Sequence, residues 1–390
     1  MTIYKQTNLL TSTRRQFLKS ALAVGATSLL PNAVFAQSNS PNIFVWITLR
    51  GAMDGLNVVV PYADKQYLTL RPTIGLATEK LNKLDDFYGL HPAMKTSFEW
   101  YQNKQMAMVH ACATAYRERS HFDGQKVLEN GTDNPLHRDG WLNRLLQLDA
   151  KSKGLAIDSG LPLIVQGEKA VSSWYPNNLQ ARDSQVELLE ALFQSDEKLA
   201  SNFEEALKIE MMSNRNRPGK QFPVLASQAG TFLSAEGGPN IAVLELGGWD
   251  THAGQGAETG RLANQLRKLD SGLANLKKAL GDNWSKTVVM AASEFGRTAA
   301  ENGTKGTDHG TANAMFIAGG AIEGGKVLGE FPGLAQAELY EGRDLAPAND
   351  MRAVIKAVLQ QHMSMEPSAL ESVFPDSSSD KAYAGLIRSS

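Results

Sequence analysis

Cysteine is almost absent from this 390-residue chain. Cys112 stands alone, so no intramolecular disulfide can form and a cysteine-held iron–sulfur cluster is excluded. No Gly-x-Gly-x-x-Gly turn occurs, which with the single cysteine argues against a redox protein built on a dinucleotide. Basic runs never exceed two residues, so nucleic acid is not expected as a partner. Internal repeats and long low-complexity linkers are lacking as well. No stretch offers the roughly 20 apolar residues that cross a bilayer core about 30 Å thick, so stable membrane insertion of the mature chain is not expected.

What is present begins with an export signal. Arg14-Arg15-Gln16-Phe17-Leu18-Lys19 is a twin-arginine signature, Ala21 to Leu30 is a short apolar stretch, and Val34-Phe35-Ala36 offers small residues for cleavage. Residues 1–36 therefore read as a Tat signal peptide and 37–390 as one domain, periplasmic or secreted, with the Tat translocase as a partner during export. The Tat route carries folded proteins, often with a metal or cofactor already bound. The signal carries four basic and no acidic residues, so the remaining 35 basic and 41 acidic residues leave a mature net charge of −6. About 354 mature residues suit one large α/β domain with inserted loops.

Short apolar runs recur at Ile43 to Leu49, Met106 to Cys112, Leu161 to Gln166, Ile241 to Leu246, Thr287 to Ala292 and Ala314 to Ala318. Near-continuous Val, Ile, Leu and Met is the pattern of strands buried on both faces. Helical periodicity runs from Gly260 to Leu280, with leucines three and four apart, and also over Ser184 to Ile209 and Asn349 to His362. Ser213 to Ser227 reads as a surface loop, and the Ser-rich tail after Phe374 as mobile. Strands alternating with helices predict an α/β fold whose largely parallel sheet is flanked by helices, with its ligand crevice at the carboxyl ends of strands.

Polar residues gather at those strand ends. Asp54 follows the first run within Arg50-Gly51-Ala52-Met53-Asp54-Gly55, where it is either a ligand or a turn residue bonded to its own backbone. In Gly247-Gly248-Trp249-Asp250-Thr251-His252, residues two apart in extended backbone point the same way, so Asp250 and His252 can grip one ion. Glu245 reads as a core or edge carboxylate. Asp308-His309 lies in Gly306-Thr307-Asp308-His309-Gly310. Glu294 and Arg297 follow Thr287 to Ala292 as an anion clamp or a buried ion pair. Ser120 opens Ser120-His121-Phe122-Asp123, a capping-box-like helix start whose N-terminus favours an anion. Cys112, inside an apolar run, reads as core. His121 is a ligand, a proton donor or only a polar contact. His91, His110 and His137 stay unassigned, and His362 reads as a helix-end histidine.

The Thr307-Asp308-His309-Gly310 segment resembles the Asp-His-Gly of the alkaline phosphatase and sulfatase superfamily. The order of an early Asp, then Asp with a nearby His, then Asp-His is similar too. Closer is the Tat-exported domain of unknown function 1501 family. The Gly-Gly-Trp-Asp-Thr-His, Ser293-Glu294-Phe295-Gly296-Arg297-Thr298, Asp308-His309-Gly310 and Arg119-Ser120-His121-Phe122 blocks match its pattern.

The resemblance implies an alkaline-phosphatase-like fold and an exported metal-dependent hydrolase of phosphate or sulfate esters, with Ser120 as nucleophile and Thr114 and Cys112 as weaker rivals for that role. It implies one or two divalent ions, zinc foremost and calcium, manganese or iron as alternatives. Asp54, Asp308 and His309 would hold one, Asp250 and His252 the other. Arg119, Glu294 and Arg297 would bind a small-molecule or polymeric ester. Two departures from the superfamily stand out: the middle Asp and His are two apart rather than four, and the C-terminal histidine has only His362 to supply it. The alternative is a metal-binding or catalytically silent envelope module of the same fold.

Overall fold

The computed structural model describes residues 41–176, 183–193, 196–213, 219–377 and 383–388. The export signal and its cleavage point lie outside them. Five of the six apolar runs become strands of one sheet: β1 (Ile43–Arg50), β2 (Met106–Ala113), β5 (Ile241–Gly247), β6 (Thr287–Ala292) and β7 (Asn313–Ala318). Short strands β3 (Gly154–Ala156), β4 (Ser172–Ser173), β8 (Lys326–Leu328) and β9 (Asn349–Asp350) complete it. The order is β8-β2-β7-β6-β1-β5-β3-β4, with β9 also paired to β2. Only β7 runs against its neighbours β2 and β6; the other strand pairs are parallel. The expected α/β, largely parallel sheet is what forms.

Strand alternation builds two cores from one sequence. Ile43, Val45, Ile47 and Leu49 of β1 enter one hydrophobic cluster, while Phe44 and Trp46 enter the other. The first core is closed by α3 (Phe222–Ser234) and α4 (Arg261–Leu280). Leu262, Leu266, Leu269, Leu273, Leu276 and Leu280 of α4 all turn inward, each stabilising the fold by roughly 1.5–3 kcal/mol. The second core is closed by α2 (Trp141–Leu148), α5 (Met351–His362) and α6 (Pro367–Val373). Asp350 caps α5 by accepting from the Arg352 N–H. Helices thus cover both faces, and residues Pro41–Ser390 cluster as one compact unit.

Three local expectations fail. Leu161 to Gln166 is not a strand: Pro162 leads into a single 3-10 turn, Leu163–Val165, whose Ile164 and Val165 are buried without sheet pairing. Ser184 to Ile209 is not one helix but two, Asp183–Phe193 and Glu197–Met212, because Asp196 caps the second by accepting from the N–H groups of Lys198 and Leu199. Ser213 to Ser227 is not loop throughout, since α3 begins at Phe222 with Pro223 in its first turn. Residues 214–218, and much of the serine-rich tail, lie outside the described residues. No described helix is long and apolar enough to cross a membrane.

Candidate metal centre

Four loops meet at one edge of the sheet because of the strand directions, the one between β6 and β7 carrying two of the motif blocks. β1, β2, β5 and β6 all point their carboxyl ends there, and antiparallel β7 starts there. The loop after β2 leads to α1 (His121–Asn130), the loop after β5 carries Asp250 and His252, and the loop after β6 carries Glu294 and Arg297. Asp308 and His309 lie just before β7. Extended backbone after β5 sorts its side chains as expected: Trp249 and Thr251 are fully buried, while Asp250 and His252 face the cluster with their atoms 3.1 Å apart.

Three imidazoles surround Asp250, and each is oriented through its Nδ1. His121 Nδ1 lies 2.7 Å from Glu294 Oε1, His309 Nδ1 3.0 Å from the Arg119 carbonyl, and His252 Nδ1 3.2 Å from Asp308 Oδ1. A carbonyl or an ionised carboxylate only accepts, so in the neutral rings Nδ1 carries the proton and Nε2 presents a lone pair. Burial works against the Glu294 charge, but bonds from His121, Gln125 and the Gly51 N–H hold its pKa below the ordinary carboxylate value. The Asn302 amide, with His252, does the same for Asp308. Burial, reinforced by His121 and Arg297, lowers the pKa of His309 and keeps it neutral.

The Nε2 atoms converge. His252 Nε2 is 3.0 Å from His309 Nε2, and Asp250 Oδ1 is 3.1 Å from the first and 3.4 Å from the second. His121 Nε2 lies 3.6 Å from Asp250 Oδ2, buried and with no hydrogen-bond partner. Donors bound tetrahedrally at about 2.0 Å lie about 3.3 Å from one another, which is the spacing seen. An orphaned buried lone pair, imidazoles fixed by carboxylates or a carbonyl, and an ionised Asp250 together fit a divalent cation. Among the described residues a single group of three or more metal-ligating side chains converges: His121, Asp250 and His309.

The surroundings explain the motif blocks. Phe295 packs against both His121 and His309, with ring centroids 5.0 and 5.3 Å away. Arg297 is wholly buried: its guanidinium donates to the carbonyls of Ala52, Gly51, Trp249 and Thr307, and to Asp250 Oδ1 at 2.5 Å. Burial raises the cost of the Asp250 charge, yet Arg297, followed by His252 and His309, leaves its pKa below the ordinary value. Gly306 packs on the His252 carbonyl, which a Cβ would meet at 2.4 Å. That close approach brings Asp308 and His309 against Asp250 and His252.

The family described as protein of unknown function (DUF1501) matches residues 42–374. The chain belongs to it. A twin-arginine translocation signal sequence matches residues 11–31, so this family member is exported through the Tat translocase and is periplasmic or secreted. No curated protein matches it in sequence. Similar solved structures include Ps i-CgsB in complex with k-i-k-neocarrahexaose, with a TM-score of 0.43 at 10% identity over 85% of this chain and 74% of that one. A protein in the alkaline phosphatase superfamily from Vibrio parahaemolyticus gives 0.40 at 11% identity over 75% and 64%. The C-terminal periplasmic domain of EcEptC from Escherichia coli, in complex with Zn, gives 0.37 at 10% identity over 74% and 76%. Likeness at this level assigns no residue a role.

Of the expected site residues of this family member, the structure brings Asp250, His252, Asp308 and His309 together and adds His121. Asp54 is not with them. It is buried in an ion pair with Arg71 at 2.6 Å, which the sequence concealed because Arg71 lies in a separate loop. Asp308 faces the Nδ1 of His252, so it orients that ring rather than joining the Nε2 cluster. Glu294 and Arg297, expected at the substrate, are buried and spend their polar atoms inside the protein. Arg119 pairs with Asp344 at 2.8 Å and Glu341 at 2.5 Å, and its strained φ of +59° serves to aim its carbonyl at His309. Ser120 precedes α1 in extended conformation, and its side chain makes no capping bond. His91, His110 and His362 are each buried against a backbone carbonyl, His362 at the far end of β1 on Ile43, while His137 pairs with Asp139. The signal for His121 was its place in the Arg119-Ser120-His121-Phe122 block.

Proposed function

We propose that this chain is an exported hydrolase of phosphate or sulfate esters that depends on a divalent cation held by His121, Asp250, His252 and His309. The observation that carries this reading is the buried, unpartnered Nε2 of His121 facing Asp250 beside the other two imidazoles. An imidazole-rich donor set suits zinc, manganese or iron, unlike the oxygen shell that calcium takes. When bound, the cation polarises an ester oxygen and lowers the pKa of a coordinated hydroxyl.

The chain's own residues supply the rest. Ser120 Oγ, not engaged in capping its helix, attacks the phosphorus or sulfur and displaces the alcohol. Water then hydrolyses the seryl ester and restores the hydroxyl. The free N–H groups in the first turn of α1 favour the anionic ester group. Glu294 and the Arg119 carbonyl keep His121 and His309 in the tautomer that leaves Nε2 unprotonated. Arg297 locks the loops so that Asp250 stays ionised. Asp250, His252 and Asp308 have side chains about half exposed (44%, 44% and 52%), which leaves the centre open to an ester from solvent.

The silent-module alternative rested on the missing C-terminal histidine. His121 supplies an imidazole from another loop, which supports the hydrolase reading instead. The test is turnover of p-nitrophenyl phosphate and p-nitrophenyl sulfate by protein reconstituted with zinc, manganese or iron. Turnover lost in Ser120→Ala with bound metal retained is the expected result. A fully metallated protein inert toward both esters would count against the proposal.

A further inference from the structure

Resting on the metal-centre reading above, we infer that this chain binds one divalent cation per molecule and not two, because Arg71 supplies the positive charge beside Asp54. Arg71 is completely buried, and every arm of its guanidinium is committed. Nε donates to the Ala299 carbonyl at 2.9 Å, one terminal nitrogen to the Thr298 carbonyl at 2.8 Å, and the other to Asp54 Oδ2 at 2.6 Å and Asn57 Oδ1 at 2.7 Å. Tyr67 donates to the same Asn57 oxygen at 2.8 Å. A guanidinium anchored on two carbonyls and two side chains does not swing aside. It compensates the buried carboxylate, and a divalent ion placed on Asp54 would face that fixed cation where the dielectric screens little.

The remaining surroundings of Asp54 agree. Oδ2 accepts a second bond, from Gln255 Nε2 at 2.6 Å. Oδ1 is buried without a partner, but one oxygen is too few to hold an ion. Among the described residues no group of three ligating side chains includes Asp54.

Asp54 instead acts on the cation site at a distance. The oxygen of Gln255 accepts from Thr251 Oγ1 at 2.6 Å and Thr307 Oγ1 at 3.1 Å. Thr251 lies between Asp250 and His252, and Thr307 precedes Asp308. Arg71, Asp54 and Gln255 therefore form a buried chain that holds the two ligand loops in register. Asp54 and Gln255 are positioning residues.

The experiment is a metal count by elemental mass spectrometry on mature wild-type protein, Asp54→Asn and Asp250→Ala, each saturated with zinc and then desalted, with folding checked by near-ultraviolet circular dichroism. The expected result is one zinc per chain in wild type and in Asp54→Asn, with affinity in the latter lowered by no more than about 10–100-fold, and none in Asp250→Ala. Two zinc ions per wild-type chain, or loss of zinc from folded Asp54→Asn, would overturn the inference. Should Asp54→Asn not fold, the wild-type count decides alone. Wild-type protein with two ions and ester turnover would sink the single-ion inference while leaving the proposed function standing. Wild-type protein with no ion would remove the metal centre itself.

Discussion

The Nδ1 of His121 lies 2.7 Å from Oε1 of Glu294, and that carboxylate is wholly buried. Glu294 also accepts from the Gly51 N–H at 2.9 Å and from Gln125 at 3.2 Å, so it is built in place before any ligand arrives. Outer partners of this kind raise ligand basicity and fix ring orientation. Glu294→Gln should therefore weaken zinc binding by about 10–100-fold, read by competition with a chromophoric chelator. Asp308→Asn should weaken it less, because Asp308 is half exposed and water replaces its bond to His252. Complete loss of zinc in Asp308→Asn would make Asp308 a direct ligand and reverse that order.

Arg297 ties four loop carbonyls and Asp250 into one unit. Replacing it with Met leaves those carbonyls without donors and the half-exposed Asp250 without its cation. Arg297→Met should destabilise the metal-free protein by about 3 kcal/mol or more, since each buried carbonyl left without a donor costs about 1–3 kcal/mol. Arg297→Lys should recover little of this, since one ammonium cannot reach acceptors spread over three loops. Urea unfolding midpoints measure both. A change below about 1 kcal/mol for Arg297→Met would show that the clamp is not needed for folding.

Much of this was legible in the sequence, and the reasons differ by level. The strands after which Asp250 and Glu294 appear are continuous apolar runs, so their existence and their common edge follow from periodicity and parallel pairing. The meeting of Asp250 with His252 followed from strand alternation alone. What was hidden depended on partners distant in sequence. Arg71 neutralises Asp54 from a loop that carries no motif, so a strand-end Asp read as a ligand is a buried ion pair. Glu294 and Arg297 looked like an anion clamp because sequence shows charge but not burial. Their polar atoms turn inward to His121 and to backbone carbonyls. The Leu161 to Gln166 run misled for another reason: an apolar segment can be buried as a 3-10 turn, and only Pro162 hinted at it.

His110 and His362 lie away from the cluster, each fully buried on a backbone carbonyl, and burial pushes both down to about 4. The unfolded chain has histidines near 6.5, so it takes up protons first as pH falls. Stability from these two residues is complete above about pH 6.5 and is lost progressively toward pH 4, at about 1.4 kcal/mol per pH unit for each. His91 and His309 shift in the same direction, so the whole-protein slope is steeper. The single comparison that isolates one residue is His362→Gln, whose amide can still donate to the Ile43 carbonyl. In chelator-treated protein, its unfolding free energy should fall less between pH 6.5 and 4.5 than that of wild type. Parallel slopes would mean that His362 titrates normally in the folded state.

Gly51 joins the candidate metal centre to the fold through its lack of a side chain. Its φ is +115°, its N–H donates to Glu294, its carbonyl accepts from Arg297, and a Cβ would meet the Asp250 nitrogen at 2.9 Å and the Trp249 nitrogen at 3.1 Å. Both objects are backbone, so neither can rotate away. Gly51→Ala should cost about 1–3 kcal/mol of stability from backbone strain and should also weaken zinc binding, because the loop that yields is the one carrying Asp250. Gly303→Ala is the control: it lies in the same cluster of loops, at a position where an added Cβ meets nothing within 4 Å, and should alter neither quantity. If Gly51→Ala lowered stability while zinc affinity stayed at the wild-type value, the first loop would be a structural neighbour of Asp250 and not part of what holds it.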